Sequence, residues 1–396
     1  MLFQVFYLNL LLIKMDSNSN KNQEKNIENQ SITKPISLEE NNNTNKEENN
    51  NKYLDEKKEK IKLPKRKYAI IHGYIGINYS GNQKNPGVKT IEEELENALF
   101  KCGFISPCNY GKIQKIDWMR ASRTDKGVSA IMNVVSCRLH KYPDLNENEM
   151  KLKVNLELPK DIKIFRFIEV SDHFDSKSNN NNREYNYVIP SFLFEPIINK
   201  NNKENKIEMK DFVGNYSFKL NDELKEKLNK LCKNYCGTKK YHNYTKNVGF
   251  SSMQSQRHIY KFEYEFDNLE SNFEVIKFII IGQSFLYNQI RKMIGMIINC
   301  MRDNLDYEYF ENSFLSNKVD IPKAPAEGLF LRRIDYSKYN DRKLNKKNNI
   351  FITSEDEIEM DNFEKILRQK TVDFEQKEKI FSNWLWKIDN QRNWII

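Results

Sequence analysis

The chain has 396 residues, with 64 Lys and Arg against 55 Asp and Glu, for a formal net charge of +9. That length holds two domains or one large one with tails, and the modest basic excess suits an anionic partner such as RNA without singling one out. P-loop, G-x-G-x-x-G, H-E-x-x-H and G-x-S-x-G patterns are all missing, which excludes the motif-bearing NTPase, dinucleotide-binding, zincin and nucleophile-elbow hydrolase classes.

Residues 1–13 are apolar but too short to span a bilayer as a helix, and they lack a basic leader and a small-residue cleavage site. With Met15 close behind, they read as an upstream extension or a targeting presequence. Residues 16–52 carry 12 asparagines and almost no aromatic side chain. Such a segment cannot bury enough apolar surface to offset chain entropy, so 1–65 is predicted to be a disordered extension. The basic stretch 56–67 reads as a linker, a nuclear address or an electrostatic arm for RNA.

Ordered structure is predicted from 66. Residues 67–77 form a strand rich in β-branched and aromatic side chains, ending in turn formers. A helix follows, with Thr90 and Glu93 in a capping-box pattern, Ile91, Leu95, Ala98 and Cys102 at helical spacing, and Gly103 to end it. Strands are predicted at 131–139 and 162–170, with a short helix between. Residues 183–190 alternate, placing Arg183, Tyr185, Tyr187 and Ile189 on one strand face.

A second segment repeats the theme. Leu224, Leu228, Leu231 and Tyr235 mark an amphipathic helix. Tyr260, Phe262, Tyr264 and Phe266 alternate along a strand, 273–282 is another strand, and 284–301 carries a helical apolar stripe from Leu286 to Met301. A strand at 328–336 precedes a tail, 341–396, predicted to be helical. Asparagine-rich runs at 178–182 and 199–205 read as surface loops. The mixture favours an α+β fold with helices on a largely antiparallel sheet. The six cysteines contain no C-x-x-C pair, and Cys232-x3-Cys236 with His242 falls short of the four paired ligands of a zinc site, so reduced thiols and no metal are expected.

Five stretches carry further information: S-R-T-D-K-G-V-S-A (122–130), H-F-D-S-K with R-E-Y-N-Y-V-I-P (173–190), Y-H-N-Y-T (241–245), G-Q-S-F-L-Y-N-Q-I-R-K-M-I-G-M-I (282–297) and P-K-A-P-A-E-G-L-F-L (322–331). In this order and at these separations they resemble the TruA family of tRNA pseudouridine synthases, and more closely its eukaryotic multisite branch. The start, with Gly81 and Gln83, is similar to that family's first strand and turn. Two positions depart from the pattern: Asn82 stands where relatives carry an apolar or aromatic residue, and Ser122 where bacterial members have Gly.

The resemblance implies a pseudouridine synthase fold, in which two similar α/β halves (66–195 with Asp125 and Tyr185, 196–340 with Arg291) form the central sheet with a catalytic cleft between them. It implies isomerisation of uridines in tRNA, or also in messenger or small nuclear RNA, without a cofactor; the alternative is a catalytically idle RNA-binding relative. Asp125 matches the catalytic aspartate, and the charges of Arg123 and Lys126 are expected to keep it ionised. Arg291 matches its basic partner and Tyr185 the residue that stacks on the uracil. Leu329 and Leu331 match an apolar wall opposite that tyrosine, and Arg123 is a candidate to handle a flipped nucleotide. Lys126, His173, Lys177 and Arg183 are RNA-binding candidates, and His242 and Asn243 read as architectural. The resemblance leaves nucleus, mitochondrion or plastid as compartments, with nucleus preferred, and a monomer favoured over a homodimer, without membrane association.

Overall fold

Long β-branched and aromatic runs need burial on both faces, and the chain supplies it by setting them at the centre of one sheet. The computed structural model describes residues 63–197, 208–341 and 348–390. The apolar start, the asparagine-rich segment, most of the basic stretch and the 199–205 run lie outside the described residues.

Among the described residues the strands are β1 (Lys65–Tyr74), β2 (Met119–Arg120), β3 (Ser129–His140), β4 (Ile162–Glu169), β5 (Asn182–Pro190), β6 (Gly237–Lys240), β7 (Gln256–Asp267), β8 (Val275–Gly282) and β9 (Leu329–Asp335). They form one mixed sheet in the order β4-β1-β3-β9-β5-β8-β7-β6, with β2 paired to β3. Every pairing is antiparallel except β3 with β9, which meet in parallel over Ser129–Phe330 and Ala130–Leu331 alone. The antiparallel α+β expectation therefore holds, and the short parallel seam falls directly after the segment containing Asp125.

The helices are α1 (Ile91–Lys101), α2 (Glu147–Glu157), α3 (Asp222–Asn234), α4 (Gln289–Arg302), α5 (Tyr307–Asn312), α6 (Ser337–Asp341), α7 (Ser354–Glu378) and α8 (Ile380–Asn390). α4 is buried from Met293 through Arg302, while Arg291 and Lys292 in its first turn are half-buried. Its Gly295 lets the backbone of Pro322 lie directly against the helix, where a Cβ would collide. That close approach brings residues 322–324 beside the first turn of α4.

Three local expectations need correction. Thr90 is the N-cap of α1, but its side chain makes no capping bond and no capping box forms. Glu92, the second residue of the helix and outside that pair, turns inward to accept from Trp118 Nε1 (2.9 Å) and Arg120 Nη2 (2.9 Å). The helix predicted over 284–301 begins only at Gln289, because Asn288 is left-handed (φ 62°) and breaks the run. Along β7 the register shifts between Ile259 and Lys261. This bulge leaves Tyr260 exposed while Ile259 and Phe262 fill the core.

The tail is helical where described. α7 lies on β3, β4 and β5, burying Met360, Phe363, Leu367 and Val372. Acidic residues fasten it to the sheet: Asp356 to Arg166 (2.6 Å), and Glu357, Asp361 and Glu364 to Arg332 (3.1, 2.7 and 2.5 Å). α8 adds Trp384, whose Nε1 donates to Lys323 O at 2.9 Å; Trp394 lies outside the described residues.

Candidate active site

The segment between β2 and β3 is held as a rigid loop. Val128 N donates to Asp125 O (3.1 Å), closing a turn that Gly127 completes at φ 81°. Asn82, 1% exposed, grips the loop from below: its Nδ2 donates to Ser122 O (2.9 Å), and its Oδ1 accepts from Thr124 N (2.9 Å). Asn133 Nδ2 also donates to Ser122 O (3.1 Å), and Tyr74 and Thr124 share a hydroxyl–hydroxyl bond of 2.7 Å. With Ser122 and Thr124 pinned inward, Arg123 and Lys126 are exposed at the rim and Asp125 is half-buried between them.

Burial pushes the Asp125 carboxyl above its ordinary range, opposed by the charges of Arg291, Lys323 and Arg123 in that order. Desolvation is the largest influence; Lys323 joins Arg123 and the expected partner Arg291 among the charges that oppose it, and Lys126 is not among them. Arg291 projects from the first turn of α4, where its Nε donates to Ala324 O (2.6 Å). Among the described residues it forms no ion pair with Asp125 within 4 Å, so it acts on the carboxylate through its field rather than by contact.

Tyr185 comes from β5, 7% exposed, its ring edge-on to Phe285 at 5.2 Å. Its hydroxyl is 2.9 Å from Ser122 Oγ, which ties it to the aspartate loop. Burial raises its pKa; the Ser122 bond and then Arg183 lower it, and the Asp125 charge raises it further. A hydroxyl held this way is neutral near pH 7 and within electrostatic reach of the carboxylate. Leu331 is cross-strand from Tyr185 and Leu329 from Tyr187, both leucines buried, so they flank the tyrosines on the same sheet face rather than opposing them. Tyr187 donates to Pro325 O (2.7 Å) and is core.

Of the RNA-binding candidates, Lys126, His173 and Lys177 are exposed. Arg183 is partly committed inside the protein, donating from Nη2 to Ala121 O (3.0 Å) and from Nη1 to Gln283 O (3.3 Å). Asn243 bridges Ser313 O and Asn317 O (both 2.9 Å) and accepts from Val319 N (3.1 Å), which is architectural work; His242 packs edge-on to Phe250. Sequence reasoning missed Asn82, Ser122, Asn133 and Lys323. Asn82 and Ser122 stood out only as departures from a pattern, and nothing local ties either to Asp125 or Tyr185. Among the described residues no cluster of three or more His, Cys, Asp or Glu could hold a metal ion, and no helix is long and apolar enough to cross a membrane.

A half-buried carboxylate among cations, with a buried tyrosine tied to its loop on a mixed, largely antiparallel sheet, defines a class of α+β proteins with a single carboxylate at the candidate site. A family profile described as tRNA pseudouridine synthase matches residues 231–337. The chain is 34% identical over 285 residues to "Pseudouridylate synthase 1 homolog" of Mus musculus, covering 71% of this chain and 63% of that protein. It is 30% identical to "tRNA pseudouridine synthase 1" of Kluyveromyces lactis, covering 84% of this chain and 71% of the relative. The chain belongs to the tRNA pseudouridine synthase family. It spans about three fifths of the length of the mouse protein and of its human counterpart (63% and 61%).

Proposed function

We propose that this chain isomerises uridines of tRNA to pseudouridine, with Asp125 as the attacking carboxylate. The observation that carries the reading is the setting of Asp125: half-buried, facing Arg291, Lys323 and Arg123, on a loop hydrogen-bonded through Ser122 to Tyr185. The reaction breaks the N1–C1′ glycosidic bond, turns the uracil, and forms a C5–C1′ bond, with N1 gaining a proton and C5 losing one. Its electrons balance without an oxidant or reductant.

A carboxylate raised by burial but held in a field of cations is still available as a nucleophile at neutral pH, and loses little solvation on attack. It attacks the ribose C1′ or the uracil ring, or supports a glycal route. Tyr185 supplies a flat face for the base and a neutral hydroxyl for proton movement at C5, oriented by Ser122. Leu329 and Leu331 keep the neighbouring sheet surface apolar. Extruding the uridine from a folded RNA costs about a few kcal/mol of unstacking, and the exposed Arg123 at the loop tip is suited to occupy the vacated space. The segments 66–195 and 196–340 form the walls of the cleft, with β5 crossing from the first to pair with β8 and β9 of the second. Lys126, His173 and Lys177 contact the phosphate backbone, while Arg183 braces the loop.

The test is incubation with transcript tRNA carrying tritium at uracil C5. Release by the wild type and loss in Asp125→Asn are expected. Equal release by both removes Asp125 as nucleophile, and no release by the wild type favours the idle RNA-binding alternative.

A further inference from the structure

Around the first turn of α4 the cations outnumber their partners. Arg291 and Lys292 lie in that turn, while Lys323 sits on the segment seated against it, with Ala324 N donating to Arg291 O (3.1 Å). On a third side Lys292 Nζ donates to Asn243 O (2.9 Å), which holds the chain leading to Lys246. Lys323 is fixed from the tail by the Trp384 bond to its carbonyl, yet the residue is exposed, as is Lys246.

Burial pulls the pKa of Lys323 down, and Arg291 and Lys246 pull it further, with Asp125 alone opposing. Burial does the same to Lys292, where Asp320 opposes and Lys246, Lys323 and Lys318 add to the depression. Among the described residues none of these lysines makes an ion pair within 4 Å. Mutually repelling, partly desolvated lysines cost stability unless something anionic joins them.

A second, independent feature sits at the same end of the helix. Asn288, the N-cap residue, is left-handed and its side chain makes no capping bond. It is 6% exposed, and both its amide nitrogen and its amide oxygen are buried without a hydrogen-bond partner. A buried amide left with neither donor nor acceptor satisfied is rare and unfavourable. The start of a 14-residue helix also carries the positive end of its dipole.

We propose that Asn288, Lys246, Lys292 and Lys323, at the N-terminus of α4, form a binding site for one phosphodiester of the RNA backbone, beside the nucleotide presented to Asp125. The proposal rests on the reading of this chain as an enzyme acting on RNA. The site fixes the strand near the target, so that binding energy from a non-reacting phosphate positions the target sugar.

The test uses the full chain and transcript tRNA, measuring the dissociation constant across a salt series alongside tritium release. Lys246→Gln combined with Lys323→Gln is expected to weaken binding about 10-fold at low salt and to reduce the slope of log affinity against log salt by about one, the value for one lost phosphate contact. Lys365→Gln, an exposed charge on α7, gives the baseline for losing a surface charge. Asn288→Gly keeps the left-handed backbone and removes the amide; it is expected to weaken binding while melting no lower than wild type. If the double variant shifts the slope no more than Lys365→Gln, or if Asn288→Gly binds like wild type, there is no phosphate site here. A reduced slope in the double variant together with no tritium release by the wild type overturns the isomerase reading and leaves the site standing.

Discussion

Replacing Asn82 tests how the aspartate loop is held. In Asn82→Leu both side-chain bonds go, from Nδ2 to Ser122 O and from Thr124 N to Oδ1, each 2.9 Å. Ser122 O keeps a donor in Asn133, but Thr124 N loses this partner. Leaving one buried donor unsatisfied costs about 1–3 kcal/mol. Because the loss falls on the residue before Asp125, most of it appears as displacement of the loop rather than unfolding. At about 1.4 kcal/mol per factor of ten, turnover at saturating RNA should fall about 5- to 100-fold, with RNA affinity within about twofold of wild type. Asn82→Asp separates the two bonds: it keeps an acceptor for Thr124 N but sets a carboxylate oxygen against Ser122 O, and should be impaired as well. Single-turnover tritium release and equilibrium binding measure the two quantities. Normal turnover in Asn82→Leu, or a loss confined to affinity, would refute the argument.

Asp125→Asn should melt at a higher temperature than wild type at pH 7, because burial disfavours the charged carboxylate. With the folded pKa above the unfolded one, that penalty is fully present above the folded value and disappears as pH falls below the unfolded one. The gap in melting temperature should therefore close on acidification, and a gap independent of pH would contradict it. Arg332→Met should lower stability by about 2 kcal/mol by denaturant titration and open α7 to proteolysis. A lone buried partner would lose about 3–5 kcal/mol, but Glu364 keeps Arg368 (3.4 Å) and Lys277 (3.9 Å). Unchanged stability and proteolysis would mean that apolar packing alone seats the helix.

Much of this protein was legible in order along the chain. Period-two alternation marked β5, and helical apolar spacing marked α1 and α3, since burial of every third and fourth residue leaves a local trace in a helix. Where a trace failed, the backbone broke the period: a bulge carried Tyr260 to the surface, and left-handed Asn288 delayed the start of α4.

The sequence by itself determined the family resemblance and singled out Asp125, Tyr185 and Arg291, because those rest on residue identity and order. Only the tertiary structure decided how Asp125 is charged and held. Its carboxyl answers to burial first and then to Arg291 and Lys323, brought to it from α4 and the segment packed on Gly295, rather than to its neighbour Lys126. Its loop is fastened by Asn82 and Asn133, and joined to Tyr185 by Ser122. Desolvation and electrostatic fields depend on distance through space, and adjacency in sequence carries little of that information.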